Sequence, residues 1–120
     1  MKKIIFYSYL KCSTCRKAEK WLKSKDLEFQ LIDIVREPPL VNFLKLALEQ
    51  YSDDKKKIFN TRGKAFKTLN IDINGLSREE IIQLLLSDGK LIKRPFLIYE
   101  GKRAILGFNE IQYAKQFIKF

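Results

Sequence analysis

The first third of the chain shows the hydrophobic periodicity of strands on either side of a helical pattern. Residues 3–8 form a continuous run rich in β-branched and aromatic side chains, which is typical of a buried strand. Residues 13–25 repeat apolar positions at helical spacing with basic residues between them, and they predict an amphipathic helix. Residues 28–35 alternate, with Phe29 and Leu31 on one face, as a second strand does. In such a unit the two strands lie parallel in one sheet.

The middle third of the chain carries helical signals. Pro38-Pro39 ends the preceding pattern, and an apolar stripe then follows on a helix that ends near Tyr51. The stripe comprises Leu40, Phe43, Leu44 and Ala47. Candidate N-caps of two further short helices are Asp53 or Asp54 and, before Phe66 and Leu69, Thr61. Ser77 and Glu80 have the capping-box spacing that begins another helix. We therefore expect a helical insertion over about residues 38–90.

The last third of the chain returns to strands. Residues 96–99 and 103–106 predict two strands joined by a short turn at 100–102, as in a hairpin. Asn109 can cap a last helix. The residues that this helix is expected to bury are Ile111, Ala114, Phe117 and Ile118. The whole order is typical of an α/β fold, and the length suits one domain over residues 1–120.

Neither the apolar runs nor the cysteine usage indicates a membrane or an exported protein. The longest apolar runs fall far short of the roughly 18 residues that a bilayer span needs. The N-terminal apolar run is interrupted by Ser8 and Lys11, which favours a strand over a signal peptide. Both cysteines lie in one Cys-x-x-Cys motif, whereas a secreted chain of this size more often carries several spaced pairs. We therefore expect a cytoplasmic protein with no membrane segment.

The charge balance favours acidic partners. The chain has 24 Lys and Arg residues against 14 Asp and Glu residues, a formal net charge of +10. Such a charge suits nucleic acid, an anionic protein face or an oxyanion. The lysines are scattered along the chain, however, and no nucleic-acid recognition motif accompanies them. We expect a solvated basic surface on a monomer, without direct sequence-specific binding of DNA.

Cys12-Ser13-Thr14-Cys15 stands at the junction of the first strand and the first helix. The chain has no histidine, so it lacks the usual donors for a four-ligand zinc site. A cysteine at a helix N-cap faces free backbone N–H groups and the positive end of the helix dipole, and both favour its thiolate. Lys11 and Arg16 add positive charge. Cys12 is the expected nucleophile, and Cys15 is the expected resolving thiol.

Two other interpretations of this cysteine pair stay open at this point. The cysteines could simply pack in the core as small apolar side chains. They could also contribute half of a zinc site shared between two chains.

Arg94-Pro95 is the second candidate feature, because it directly precedes the strand at residues 96–99. Proline suits the first residue of a strand, and a cis bond before Pro95 could hold this loop against the cysteine pair. Arg94 would then direct a cation at whatever Cys12 attacks. The alternative is an ordinary surface arginine.

Four segments of the chain carry a resemblance to a known family. They are residues 11–18 with Trp21-Leu22, residues 60–64 (Asn-Thr-Arg-Gly-Lys), residues 91–95 (Leu-Ile-Lys-Arg-Pro) and residues 106–110 (Leu-Gly-Phe-Asn-Glu). In this order they resemble the ArsC/Spx family, which joins glutaredoxin-coupled arsenate reductases to Spx-type transcriptional regulators. The resemblance covers essentially the whole chain. It implies a thioredoxin-like fold with a mixed sheet and a helical insertion, a cis Pro95 that faces the active site, and Arg94 as a contact for an oxyanion or a partner.

The resemblance implies two classes of function. Arsenate reductases of this type are similar to the chain at Cys12 and Arg94 but carry a further arginine about where Gly107-Phe108 stands here. Losing one charge-assisted contact to a buried dianion costs on the order of 1.5–3 kcal/mol, so we expect little arsenate reduction. Arg62 and Arg103 stay open as further members of the site. Spx-type regulators are similar in using a Cys-x-x-Cys disulfide as a switch, and they bind the C-terminal domain of the RNA polymerase α subunit.

The function expected from the sequence is thiol–disulfide redox chemistry at Cys12 and Cys15, in an oxidoreductase or a redox sensor. We expect no resident cofactor and no metal, and glutathione or a thioredoxin or glutaredoxin could donate electrons. The expected partner is a protein thiol or disulfide. The alternative is a transcriptional regulator that binds the RNA polymerase α subunit, and an arsenate reductase ranks third.

Overall fold

The computed structural model describes residues 3–118, and this part of the chain forms four strands, five α-helices and three short 3-10 helices. The strands are β1 (Ile4–Ser8), β2 (Gln30–Asp33), β3 (Phe96–Tyr99) and β4 (Arg103–Leu106). The α-helices are α1 (Ser13–Ser24), α2 (Val41–Gln50), α3 (Lys64–Leu69), α4 (Arg78–Ser87) and α5 (Glu110–Phe117). The 3-10 helices are Lys55–Ile58, Ile73–Gly75 and Gly89–Leu91.

The four strands form one mixed sheet in the order β2-β1-β3-β4. β1 pairs parallel with β2, as expected of a strand–helix–strand unit, and Phe6 lies opposite Leu31. β3 runs antiparallel to both β1 and β4, so that Leu97 lies between Phe6 and Ile105. With helices on both faces this is a thioredoxin-like fold, and it confirms the α/β class and the mixed sheet.

Side-chain alternation along β1 divides the core into two layers. Ile4 and Phe6 face a cluster on the α1 and α5 side, which includes Leu22 and Tyr113. Ile5 and Tyr7 face a larger cluster on the other side, which is built mainly from α2, α4 and the segments between β2 and β3. Members of this larger cluster include Phe43, Leu44, Ile81, Leu85 and Ile92. The central strand is therefore buried on both faces, which accounts for its continuous apolar sequence.

Two helix caps match the sequence prediction. Ser77 accepts a hydrogen bond from the Glu80 amide, and the Glu80 carboxylate accepts one from the Ser77 amide, which completes the capping box of α4. Asn109 caps α5 by accepting from the Gln112 amide at 3.0 Å. Both signals are local in sequence, so they could be predicted without knowledge of the tertiary structure.

Of the other two predicted caps, Thr61 is wrong and Asp54 is confirmed in position only. α3 begins only at Lys64, and Gly63 stands at its N-cap without a side-chain hydrogen bond, because Thr61 lies in the preceding turn. Asp54 does precede a helical segment, but that segment is a 3-10 helix, and the Asp54 side chain makes no capping hydrogen bond. Short polar side chains are frequent in loops as well as at caps, so their presence alone does not define a helix start.

Several apolar positions of the predicted elements are exposed, and the expected burial of Ile111 is wrong. β2 is an edge strand shorter than residues 28–35, and Leu31 is 55% exposed, because only β1 covers it. Leu40 is 58% exposed at the N-cap of α2. Ile111 is 68% exposed because α5 turns Tyr113 into the core instead, with Phe117 on the same side one turn later. Ala114, Phe117 and Ile118 are half-buried.

Backbone hydrogen bonds within the segment between β2 and β3 hold the chain that leads into β3. The Asn60 amide donates to the Leu91 carbonyl at 2.8 Å, and the Lys93 amide donates to the Ile58 carbonyl at 2.8 Å. Between them Phe59 and Ile92 form an antiparallel bridge. These contacts fix the backbone immediately before Arg94.

Within residues 3–118, no helix is both long enough and apolar enough to span a bilayer.

Candidate functional site

Cys12 stands at the N-cap of α1, with the extended backbone (φ −92°, ψ 116°) that is typical of an N-cap. Its amide donates to the Tyr9 carbonyl at 2.9 Å, which closes the loop after β1. Its sulfur accepts a hydrogen bond from the Cys15 amide at 3.4 Å. The side chain of Cys12 thus takes the place that a serine or aspartate oxygen takes at most N-caps.

The pKa of Cys12 is lowered from its ordinary value. Partial burial raises this pKa, but hydrogen bonds from the amide and the thiol of Cys15 lower it. The guanidinium of Arg94 lowers it further, both by a hydrogen bond and by its positive charge. At neutral pH Cys12 therefore carries more thiolate than an unperturbed cysteine does.

Cys15 has the opposite electrostatic environment. It is completely buried one turn into α1, and burial is the main cause that raises the pKa of its thiol to about 12. The hydrogen bond to the Cys12 sulfur and the negative charge there add to the rise. One sulfur therefore ionises more readily and is half-exposed, and the other is protonated and enclosed, which are the properties of an attacking and a resolving thiol.

Arg94 lies at the mouth of this site. Its guanidinium carbon lies 5.0 Å from the centroid of the Tyr9 ring, and the group lowers the pKa of the neighbouring Cys12. Its Nη1 atom is buried and has no hydrogen-bond partner among residues 3–118. A buried N–H donor of this kind is available to an anionic or carbonyl group of a bound partner.

Pro95 follows a cis peptide bond and begins the chain that enters β3. Its carbonyl accepts a hydrogen bond from the Gly107 amide at 2.9 Å. Gly107 has a positive φ of 74° and in turn accepts from the buried Tyr113 hydroxyl at 3.1 Å. Burial, reinforced by the nearby Cys15, raises the pKa of Tyr113, so this hydroxyl stays protonated as a donor. Gly107-Phe108 therefore lies beside the Arg94-Pro95 loop.

Not every predicted cation comes to the thiol. Arg16 directs its guanidinium to the Leu10 carbonyl at 2.7 Å, and the cation that acts on Cys12 is Arg94. Arg103 lies at the opposite end of the sheet, because it pairs with Tyr99 and hydrogen-bonds to Gln116.

The position of Arg62 follows from the bridge between Phe59 and Ile92. Arg62 is exposed on the turn that follows Phe59, and Ile92 lies shortly before Arg94 in the chain. Because the bridge is antiparallel, the chain from Phe59 to Arg62 runs in the direction opposite to the chain from Ile92 to Arg94, so the bridge does not bring Arg62 towards Arg94.

Sequence reasoning missed two residues next to the cysteines. Tyr9 stacks under Arg94, and Ser8 is a buried serine at the end of β1 that lowers the pKa of Cys15. The residues that lie beside Tyr9 and Ser8 in space are not their neighbours in the sequence, and neither residue belongs to a recognisable motif. In the described part of the chain, no three acidic or cysteine side chains are grouped closely enough to hold a metal ion.

The fold and the thiol site together define a thioredoxin-like protein with a Cys-x-x-Cys pair at the start of its first helix. The chain belongs to the ArsC family, whose model matches residues 7–116.

Three relatives show the range of the similarity. The uncharacterized protein YusI of Bacillus subtilis (strain 168) is 43% identical over 112 residues, which are 92% of this chain and 94% of that protein. The global transcriptional regulator Spx of Lactiplantibacillus plantarum is 37% identical over 107 residues, 89% of this chain and 80% of that protein. The crystal structure of "a possible arsenate reductase" from Streptococcus mutans UA159 is similar with a TM-score of 0.88 and 37% identity, covering 98% of this chain and 100% of that one.

Proposed function

We propose that this chain is a cytoplasmic thiol–disulfide redox protein, an oxidoreductase or a redox sensor, whose redox centre is the pair Cys12 and Cys15. The observation that carries the proposal is the contrast between the two sulfurs. The Cys12 sulfur accepts the Cys15 amide at 3.4 Å and lies beside a guanidinium, whereas the Cys15 thiol is enclosed. Neither core packing nor a zinc half-site calls for this difference.

The proposed reaction has two thiol–disulfide exchange steps. The Cys12 thiolate attacks one sulfur of a partner disulfide, so that a mixed disulfide forms and the second partner sulfur leaves as a thiolate. Cys15 then loses its proton to solvent and attacks the Cys12 sulfur. The bond from Cys12 to the partner breaks, the Cys12–Cys15 disulfide forms, and the partner has gained two electrons. Glutathione or a thioredoxin or glutaredoxin would reduce the pair again by the reverse steps.

Arg94 and Pro95 shape the partner site in this proposal. The free Nη1 of Arg94 can bind a carboxylate or carbonyl group close to the sulfur that Cys12 attacks. The exposed positive charges of the chain would favour a partner with an acidic surface around its cysteine.

A second candidate is a transcriptional regulator that binds the C-terminal domain of the RNA polymerase α subunit and uses the same disulfide as a switch. The similarity to the global transcriptional regulator Spx, over 89% of this chain, favours this candidate. In that case Arg94 contacts the α subunit, and oxidation of the pair changes its surroundings. Arsenate reduction ranks third, because Gly107 and Phe108 supply no second guanidinium beside Arg94, and the cation next to Gly107 is only the ammonium of Lys93.

One substitution separates the first two candidates. In the Cys15→Ser variant, Cys12 should trap partner proteins from a cell extract as mixed disulfides that a reductant releases, and Cys12→Ser should trap none. Adding Arg94→Ala to Cys15→Ser should slow trapping roughly three- to tenfold, because a charge-assisted contact is lost. Arg103→Ala is the matched control, since this arginine lies at the other end of the sheet.

Purified RNA polymerase α subunit tests the regulator directly. If Arg94→Ala leaves disulfide exchange unchanged but abolishes binding of the α subunit, the regulator replaces the oxidoreductase as the leading function. If neither exchange nor binding changes in a folded Arg94→Ala variant, the proposed role of Arg94 is wrong.

A further inference from the structure

Ser8 is an unusual residue for the core of this protein. Apart from tyrosines, Trp21 and Cys15, it is the only buried residue among residues 3–118 whose side chain carries a polar group, with 7% exposure. Its backbone carbonyl accepts from the Ile34 amide at 2.9 Å, so the end of β1 is fixed. A buried hydroxyl without a partner would be unfavourable, so its contacts need an explanation.

The register of β1 directs Ser8 towards α1. Ile4, Phe6 and Ser8 alternate onto one face of the sheet, and Ile4 and Phe6 pack there in the same cluster as Ala18 and Leu22 of α1. Cys15 lies on the same buried side of α1, one turn before Ala18. Ser8 and Cys15 therefore meet at the end of the sheet where the redox pair lies.

Two donor groups stand at the end of β1, the hydroxyl of Ser8 and the backbone amide of Tyr9. Both lower the pKa of Cys15 against the larger effect of burial. The Cys15 thiolate must form in an enclosed place during the second exchange step. Among residues 3–118 no lysine, arginine or acidic residue is buried as a whole, and Arg94, of which one guanidinium nitrogen is buried, acts on Cys12.

We propose that Ser8 is a catalytic residue for the resolving step, in which its hydroxyl, together with the Tyr9 amide, donates a hydrogen bond to the Cys15 thiolate as that thiolate forms. This inference rests on the proposed dithiol function. The proton of Cys15 passes to solvent, the sulfur attacks Cys12, and the partner sulfur leaves as a thiolate. Ser8 itself is neither oxidised nor deprotonated; it stabilises the charge on the attacking sulfur.

A chromogenic aromatic disulfide, dithiobis-nitrobenzoate, separates the two exchange steps. The reduced protein is mixed with this reagent, and the coloured thiolate is followed by stopped flow at several pH values. The first phase depends on reagent concentration and reports attack by Cys12. The second phase is independent of concentration and reports attack by Cys15 on the mixed disulfide, which releases a second coloured thiolate. The Cys15→Ser variant must lack this second phase.

The Ser8→Ala variant should keep the rate of the first phase and slow the second phase roughly three- to tenfold. The lost hydrogen bond reduces the thiolate fraction, and the greater nucleophilicity of a more basic thiolate offsets part of that loss. The pH profile of the second phase should move to higher pH. Ser8→Thr, which retains a hydroxyl on a strand, should restore the rate. Ser24→Ala is the matched control, because that hydroxyl bonds only to the Trp21 carbonyl on the exposed side of α1.

The outcomes separate the two proposals. A wild-type protein that releases only the first coloured thiolate would overturn the dithiol function itself. If the wild-type protein shows both phases but Ser8→Ala leaves the second phase unchanged, only the role of Ser8 is overturned. The same holds if Ser8→Ala slows the second phase and Ser8→Thr does not restore it. If Ser8→Ala slows both phases equally and melts at a lower temperature, the residue is structural and the role is also overturned.

Discussion

At the scale of single residues, the chemistry depends on the different surroundings of the Cys12 and Cys15 thiols. Both belong to the first turn of α1, yet one accepts hydrogen bonds at the N-cap and the other is enclosed by the sheet. Burial acts on both thiols in the same direction, and only Cys12 has the guanidinium and the helix N-terminus to outweigh it. The asymmetry thus comes from the deeper burial of Cys15 and from the hydrogen bonds and charge around Cys12.

This asymmetry predicts the rates of alkylation. Because the pKa of Cys12 is lowered, its reaction with iodoacetamide should reach its maximal rate at a lower pH than that of a free cysteine. Cys15, with a pKa of about 12, should stay unreactive in the folded protein near neutral pH. Mass spectrometry of digests taken during labelling measures both rates. The control is Cys12→Ser, in which fast labelling should vanish, and faster labelling of Cys15 would reverse the assigned roles.

At the scale of secondary-structure elements, the sequence predicted most of what depends on local signals. The capping box at Ser77 and the Asn109 cap form as expected, because their hydrogen bonds join residues three apart in the chain. The exposure of Leu31 and Ile111 could not be predicted, because it depends on which strand lies at the sheet edge and how α5 rotates against the core. Periodicity shows which face of an element is apolar, but tertiary packing decides whether the residues on that face are buried.

The same division applies to the candidate site. The Cys-x-x-Cys motif and Arg94-Pro95 could be found in the sequence, because each is a short local pattern next to a strand. Tyr9 under Arg94 and Ser8 beside Cys15 could not, because their contacts follow from strand register and from the approach of distant segments. Lys11 and Arg16 are neighbours of the pair in sequence, but the cation that reaches the sulfur comes from the other end of the chain.

Alanine substitutions at two glycines in 3-10 helices test how closely these elements pack against the rest of the chain. A Cβ at Gly89 would collide with the Ile34 carbonyl group, which is backbone and cannot turn aside. Gly89→Ala should therefore lower the free energy of unfolding by about 1–3 kcal/mol. Gly75→Ala is the matched control, because the nearest atom to its Cβ would be 4.0 Å away, and its stability should be nearly unchanged. Urea denaturation measures both. Equal stabilities of the two variants would contradict the close approach of Gly89 to Ile34.

At the scale of the whole molecule, family membership defines the fold more narrowly than the function. The chain aligns over most of its length both with a transcriptional regulator and with a structure described as a possible arsenate reductase, at the same 37% identity. Overall similarity therefore does not decide between these activities, and particular residues around the thiol have to. Gly107-Phe108 and the buried Nη1 of Arg94 are the features that bear most on the choice.

The purified protein should reduce arsenate very slowly with glutathione and glutaredoxin. Beside Arg94, Gly107 and Phe108 carry no charge and Arg103 lies too far away, so the cation beside Gly107 is the Lys93 ammonium, which lacks the planar fork of a guanidinium that binds an oxyanion through two parallel hydrogen bonds. Losing one such contact costs on the order of 1.5–3 kcal/mol of transition-state stabilisation, roughly a 10- to 100-fold lower rate. A coupled assay of nicotinamide consumption measures turnover, with an active arsenate reductase as control. Rapid turnover would make arsenate reduction the leading function.

The central claim, that Cys12 and Cys15 form one reversible redox centre, is tested most directly by intact-protein mass spectrometry after mild oxidation. The chain should lose two hydrogens, stay monomeric and regain them on treatment with dithiothreitol, because an i, i+3 pair at a helix start can reach disulfide geometry. Peptide mapping should place the bond between Cys12 and Cys15. Persistently reduced cysteines, or bonds only between chains, would contradict the account.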